Sequence, residues 1–236
     1  MMLALAVDTS TDICSLGILE DGKPVASVQW SKSIRTSRHL AELVGFVLKA
    51  ASLSLEDMDA VAAAIGPGLF TGLRVGVAFA KGLAWSLKKP LFGINTLEAL
   101  AARGFGARYI SPVIDGRKGQ VFCALFEAEG GRLKRLLPDA SLKPDSWAKV
   151  LKERCDSKPL LIGNATELYR NIWDSIEPII APVSVCYDLW VEVAKIAAEL
   201  YEEGLRPHAS EVEANYVRAS DAELSRKGDV HGDSGR

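Results

Sequence analysis

Leu3-Ala4-Leu5-Ala6-Val7-Asp8-Thr9-Ser10-Thr11-Asp12 begins as an apolar run of strand length and breaks at a carboxylate followed by hydroxyl side chains. An apolar run closed by turn-forming residues reads as a buried strand, and an Asp at its end accepts hydrogen bonds from the turn amides. Cys14, Leu16 and Ile18 then alternate, and Asp21-Gly22 supplies a hairpin turn before a third strand over Pro24 to Trp30. The result is a three-stranded antiparallel meander. The same plan recurs in the second half. Tyr109 to Ile114 is a strand ending at Asp115, and Val121, Cys123 and Leu125 lie at the offsets from Asp115 that Cys14, Leu16 and Ile18 have from Asp8. Glu129-Gly130-Gly131 turns the chain into another third strand over about Arg132 to Leu137.

Between the meanders, Ile34, Leu40, Val44, Val47 and Ala51 recur at helical spacing, and Ser54-Leu55-Glu56-Asp57 opens a short turn with a capping box. Val61 to Ile65 is a strand running into Gly66-Pro67-Gly68, followed by a helix from about Thr71 to Leu87. Pro90 to Ile94 is a strand feeding a helix capped by Asn95, with Glu98 at its third position. The second half continues with a helix around Ser146 to Glu153, a strand Leu160 to Ile162, a helix Thr166 to Trp173 and an apolar segment Ile179 to Val185. A long helix with Leu189, Val193, Ile196 and Leu200 on one face follows and ends at Gly204. Pro112 conflicts with this pattern, because proline lacks a ladder donor and belongs at a sheet edge or bulge. The reading is a duplicated α/β fold in two lobes, 1–105 and 106–218, joined where Gly104 and Gly106 loosen the chain. Residues 219–236 are too polar to offset their ordering entropy and are expected to form a disordered tail.

Across 236 residues, 28 Lys and Arg stand against 30 Asp and Glu, a net charge of -2, so no basic excess predicts nucleic-acid binding. Any RNA contact has to be local or borrowed from a partner. The four cysteines show no metal-ligand spacing and suit a reducing cytoplasm. The apolar N-terminal run lacks a basic start and is too short for a signal peptide. Leu69 to Leu87 has membrane length, but Arg74 and Lys81 near its middle would each cost about 2.5–3.5 kcal/mol at a bilayer centre.

Gly66-Pro67-Gly68-Leu69-Phe70-Thr71-Gly72-Leu73-Arg74-Val75-Gly76 is neither a P-loop nor a dinucleotide fingerprint. It is a strand-to-helix turn whose amides either hold an anion or simply pack tightly. In the helix that follows, Gly72, Gly76, Ala80 and Ala84 make a stripe of small side chains that lets another helix approach, whether from the same chain or a second one. No Gly-x-Ser-x-Gly elbow exists for a nucleophile. Asp8 with Asp115 is a candidate pair for a two-carboxylate Mg²⁺ site facing the inter-lobe cleft.

The paired Asp-ended meanders resemble the layout of the actin, sugar-kinase and Hsp70-like ATPase class (ASKHA, RNase H-like). In that class two such turns pinch a nucleotide phosphate between related lobes. The resemblance makes Asp8, Thr9, Ser10, Gly66, Gly68, Asp115, Arg117 and Lys118 candidates for holding a nucleotide or anion. Ser10 stands where a nucleotide-hydrolysing member usually has Gly.

Val7 to Thr11, Gly66 to Gly76, Ile94 to Leu100, Asp115-Gly116-Arg117-Lys118-Gly119-Gln120-Val121-Phe122 and Asn215-Tyr216-Val217-Arg218 together resemble the successive signatures of the TsaB (YeaZ) family. The departures are Phe70 where Ser is frequent, Gly116 for Ala, and Ala214 where Pro often precedes Asn-Tyr. The resemblance implies a non-catalytic cytoplasmic subunit that heterodimerises with TsaD. TsaD transfers a threonylcarbamoyl group to the tRNA adenosine beside the anticodon, with the TsaE ATPase joining. It further implies a homodimer when TsaD is absent, and tRNA contact only through the complex. ATP or ADP and a metal would then sit mainly on the partners, with no cofactor on this chain alone. His39, Leu40, Leu43, Gly72, Arg74, Gly76 and Ala80 are the expected partner interface. The related TsaD carries a His-x-x-x-His metal pair, whereas here Leu43 follows His39 by four, so no metal site is expected. The competing expectation is a stand-alone ATP-dependent kinase or hydrolase using Asp8 and Asp115.

Overall fold

The computed structural model describes residues 2–31 and 36–218, with the side chains of residues 36 and 37 left aside. The expected tail, 219–236, and Ile34 lie outside the described residues. The first half runs β1 (Leu3–Asp8), β2 (Ile13–Glu20), β3 (Lys23–Ser31), α1 (Thr36–Ala51), β4 (Ala60–Gly66), α2 (Phe70–Leu87), β5 (Leu91–Asn95) and α3 (Thr96–Ala101). The second runs β6 (Tyr109–Asp115), β7 (Val121–Glu129), β8 (Arg132–Leu142), α4 (Pro144–Arg154), β9 (Leu160–Ile162), α5 (Ala165–Leu168), α6 (Arg170–Trp173), β10 (Ile179–Ile180) and α7 (Trp190–Glu202).

The two sheets have one strand order, β3-β2-β1-β4-β5 and β8-β7-β6-β9-β10. In each, the meander is antiparallel and the remaining strands lie parallel to the first, so the duplication read from the offsets holds for the topology, while the hairpin register differs by one residue: Asp8 pairs with Ser15, seven on, and Asp115 with Val121, six on. The local signals act as expected. Asp21 and Gly22 both take left-handed backbone (φ 48° and 78°), which matches a two-residue hairpin. The Asn95 side chain accepts from the Glu98 amide, and Ser54 with Asp57 forms a capping box.

Three differences have physical causes. Tyr169 (φ -119°, ψ 30°) breaks the expected helix over Thr166 to Trp173 into α5 and α6. The strand expected to stop at Leu137 continues to Leu142, passing two irregularities in its pairing with β7. Pro112 sits in the middle of a central strand: pairing with β7 passes from Ile110↔Phe126 to Val113↔Cys123, skipping Ser111 and Pro112, while Pro112 aligns with Ile162 on the other side. The interruption is where a missing amide costs least.

Helices and sheets stack as five layers. α1 and α2 cover one face of the first sheet, burying Leu5, Val7, Leu16, Val44 and Val47. Trp147, Leu151 and Trp173 fill the outer face of the second sheet. Between the sheets lie α3 and α7, and Ala4, Ala6, Ala62 and Ala64 of the first sheet share one core with Ile110, Ile114, Phe122 and Phe126 of the second. α7 packs on β1, β2, β4 and β5, with the Trp190 indole filling the space that Gly17 leaves on β2. Residues 207–215 return to the first lobe as well: the Leu91 amide donates to Pro207 O and the Asn215 amide to Ile65 O. The first sheet thus obtains part of its cover, α7 and the 207–215 segment, from the second half of the chain. Among the described residues no helix is long and apolar enough to cross a membrane.

Candidate functional site

β1 and β6 each end on an Asp followed by the same local device. Asp8 Oδ1 accepts from the Ser10 amide at 2.8 Å, and Asp115 Oδ1 accepts from the Arg117 amide at 3.0 Å. The second turn is tighter: Arg117, Lys118 and Gly119 all have positive φ (62°, 54° and 70°), and Gln120 O accepts from the Gly116 amide. Arg117 spans the two turns, with Nη2 donating to Asp12 Oδ2 at 2.7 Å and Nη1 lying 3.4 Å from Asp115 Oδ2. Arg218 donates from the far side to Arg117 O and Gln120 Oε1.

Asp8 is 1% exposed. Burial pushes its pKa above the ordinary carboxylate value, with the Ser10 turn and the Arg103 charge opposing. Asp115, 8% exposed, is held by its own turn, and its amide donates to Asn164 Oδ1 at 2.8 Å. The two carboxylates are thus used in building their turns. Among the described residues no three His, Cys, Asp or Glu side chains converge on a metal-sized point. His39 Nδ1 lies 2.9 Å from Glu42 Oε2, its neighbour on α1.

The glycine segment closes on the first turn instead of leaving a phosphate-sized gap. The Leu69 amide donates to Ser10 O at 2.7 Å, and a Cβ on Gly68 would collide with that same carbonyl. The Gly66 amide donates to Thr96 Oγ1 at 3.1 Å. Of the two readings of this segment, tight packing is the one realised for Gly66 and Gly68.

The stripe of small residues on α2 is also spent inside the chain. Thr9 Oγ1 donates to Gly72 O at 2.7 Å, a Cβ on Gly76 would collide with Thr9 Oγ1, and Ala80 and Ala84 are fully buried. This corrects the expectation that Gly72, Gly76 and Ala80 meet a second chain: they bring α2 against β1 and its turn. Leu40 is likewise buried, at 1% exposure, whereas His39, Leu43 and Arg74 reach solvent. Phe46, 60% exposed, continues the His39–Leu43 face of α1 and was not singled out by the pattern, though it lies opposite Leu40, Val44 and Val47.

Two clusters went unread in the sequence. Arg103, placed at the expected lobe boundary, is 15% exposed and binds the segment that roofs the cleft: it donates to Val185 O at 2.7 Å and Asp188 O at 2.5 Å, and also to Tyr187 O and Glu192. Beneath that roof is a cavity of about 200 Å³ lined by Asp12, Ile13, Leu100, Ile114, Asn164 and Tyr187 among others. Asp139 is the second hub. Asn95, Arg135 and Asn215 all donate to it, the last at 2.8 Å, so residues distant in sequence lock β5, β8 and the C-terminal segment together. Neither hub has a local signal, since each depends on partners far along the chain.

Two sheets of one strand order, each with an Asp-ended first strand and with Arg117 linking the two turns, define the class as the duplicated two-lobed actin-like ATPase fold. The family model TsaD, tRNA N6-adenosine threonylcarbamoyltransferase, matches residues 32–233. A TsaB from Bacillus subtilis strain 168, described as a tRNA threonylcarbamoyladenosine biosynthesis protein, is 33% identical over 74% of this chain and 76% of its own length. The Escherichia coli K12 protein of the same description is 29% identical over 92% and 95%. A solved structure of YeaZ from Pseudomonas aeruginosa superposes with a TM-score of 0.79 at 25% identity, covering 92% of this chain and all of that one. The chain belongs to the TsaB (YeaZ) family.

Proposed function

We propose that this protein acts in tRNA threonylcarbamoyladenosine biosynthesis as a non-catalytic cytoplasmic subunit. It heterodimerises with a TsaD-type threonylcarbamoyltransferase and supports that enzyme's transfer to the tRNA adenosine beside the anticodon, with a TsaE-type ATPase joining the pair. The observation that carries the non-catalytic part is the closed first turn: Ser10 O is bonded to the Leu69 amide where a phosphate would need backbone to approach. That bond supports a reading in which the first turn holds no phosphate, and the use of Asp8 and Asp115 by their own turn amides supports one in which ATP or ADP and the metal sit mainly on the partners. The solvent-reaching part of the expected interface, His39, Leu43 and Arg74, together with Phe46, is the face for TsaD and, in its absence, for a second copy.

Reconstituted modification of an unmodified tRNA with TsaD, TsaE, ATP and threonylcarbamoyl donor tests this reading. Modification should depend on adding this chain, and the chain alone should not turn over ATP. Modification at an undiminished rate without it overturns the role. ATP turnover by the isolated chain, abolished by Asp8→Asn or Asp115→Asn, would instead favour the stand-alone kinase or hydrolase.

A further inference from the structure

The near-neutral charge balance conceals a local excess of cations far from the cleft. α2 starts at the glycine segment and spans 18 residues, so its other end lies about 27 Å away. There Lys88, in left-handed backbone (φ 54°), turns the chain toward β5, and the segment returning after α7 passes alongside. Between them is a groove of about 580 Å³ whose lining includes Trp85, Lys88, Lys89, Arg206 and His208 and no carboxylate.

These groups are arranged rather than merely near. Trp85 is 65% exposed, and its indole meets the His208 ring edge-on, centroids 5.1 Å apart. The His208 ring is itself fixed by Ser210, whose amide donates to Nδ1. The Arg206 guanidinium lies 3.3 Å from the Tyr201 ring centroid and donates to Tyr201 O and Leu205 O. Lys88 and Lys89 have no ion-pair partner among the described residues. A large indole left in water beside unpaired cations suits a ligand with a π face and flanking negative charge. Single-stranded nucleic acid offers both, because any base can stack and its phosphates lie on either side.

We propose that this groove binds a single-stranded stretch of RNA directly, with Trp85 stacked on a base and Lys88, Lys89 and Arg206 on neighbouring phosphates. The choice of RNA over another polyanion rests on the proposed role in tRNA modification, and it replaces the expectation that tRNA is touched only through partners.

Anisotropy of a labelled unmodified tRNA transcript and of a labelled single-stranded RNA oligonucleotide, titrated with the full chain between about 50 and 200 mM salt, tests the assignment. Three phosphate contacts predict a log–log salt slope of about -2 on the single strand. Lys88→Asn, which tolerates left-handed backbone, combined with Lys89→Gln removes two of the three contacts and should weaken binding at least tenfold and flatten the slope by about 1.4. Trp85→Leu should weaken binding at least fivefold and leave the slope unchanged. All three side chains reach solvent, and unchanged melting temperatures confirm that folding is intact. Wild-type affinity in these variants, or poly-glutamate competing as well as RNA with no effect of Trp85→Leu, overturns the proposal. If modification depends on the chain while the variants bind tRNA normally, the groove fails and the subunit role stands. If the groove binds RNA as stated but modification ignores the chain, the role fails and the groove stands.

Discussion

Burial disfavours the ionised form of Asp8, and this fixes the sign of its pH dependence. Its folded pKa lies above the unfolded value of 3.8, so between the two the native state binds more protons than the unfolded one, and stability falls as pH rises through that interval. Asp8→Asn keeps an oxygen to accept from the Ser10 amide and removes the buried charge. The variant should therefore melt above wild type at pH 7.5, the gap closing as pH is lowered toward 4. A variant less stable than wild type at neutral pH would show that the ionised form is favoured by contacts beyond the turn. Gly76 has the opposite character, since its missing side chain is the space occupied by Thr9. Gly76→Leu should cost at least about 1–3 kcal/mol, seen as a lower melting temperature of the monomer. The milder Gly76→Ala should be partly rescued by Thr9→Ala, a coupling that a double-mutant cycle measures.

On α2 the same residue type has two meanings according to the face it occupies. Gly82 has open space where a Cβ would go and is exposed, so Gly82→Ala should stabilise by up to about 1 kcal/mol, raising the melting temperature by about 2–4 °C. On α1, Phe46→Glu should leave the melting temperature within about 2 °C of wild type, because the ring is 60% exposed. It should also weaken pairing with TsaD or with itself at least tenfold in sedimentation or titration; undiminished pairing places the interface elsewhere. These helices also mark how far the sequence could be read. Periodicity located α1, the strand-to-glycine turn announced α2, and the offsets from Asp8 and Asp115 exposed the duplication, because these signals are local. Spacing alone left open what covers the Gly72–Gly76–Ala80 face, since the answer lies in Thr9, more than sixty residues earlier. Arg103 and Asp139 were illegible for the same reason, each being defined by several remote partners.

At the scale of the molecule the lobes are packed into one body, because α3, α7 and both sheets share the central core. Thermal unfolding should give a single calorimetric transition. A fragment ending at residue 105 should fail to fold alone and should recover native-like circular dichroism only when residues 106–218 are supplied. Two resolved transitions, or a stable isolated fragment, would contradict the shared core. The Arg117–Asp12 pair that bridges the two turns adds little to this unity, since both side chains are about half exposed and such pairs contribute less than about 1 kcal/mol. Arg117→Ala with Lys118→Ala should consequently leave the transition in place and reveal itself, if anywhere, in the rate of reconstituted tRNA modification.

The late position of α7 also bears on how the protein is made. While the ribosome is still reading the second half, the strands of the first sheet have already emerged with Ala4, Ala6, Ala62 and Ala64 uncovered, and the helix that covers them comes only with residues 190–202. At about 5–20 residues per second, the interval from residue 105 to that helix lasts roughly 5–20 s. During it the nascent chain depends on α3 and on the small size of those alanines, which expose little oily surface to a chaperone or a neighbouring polysome.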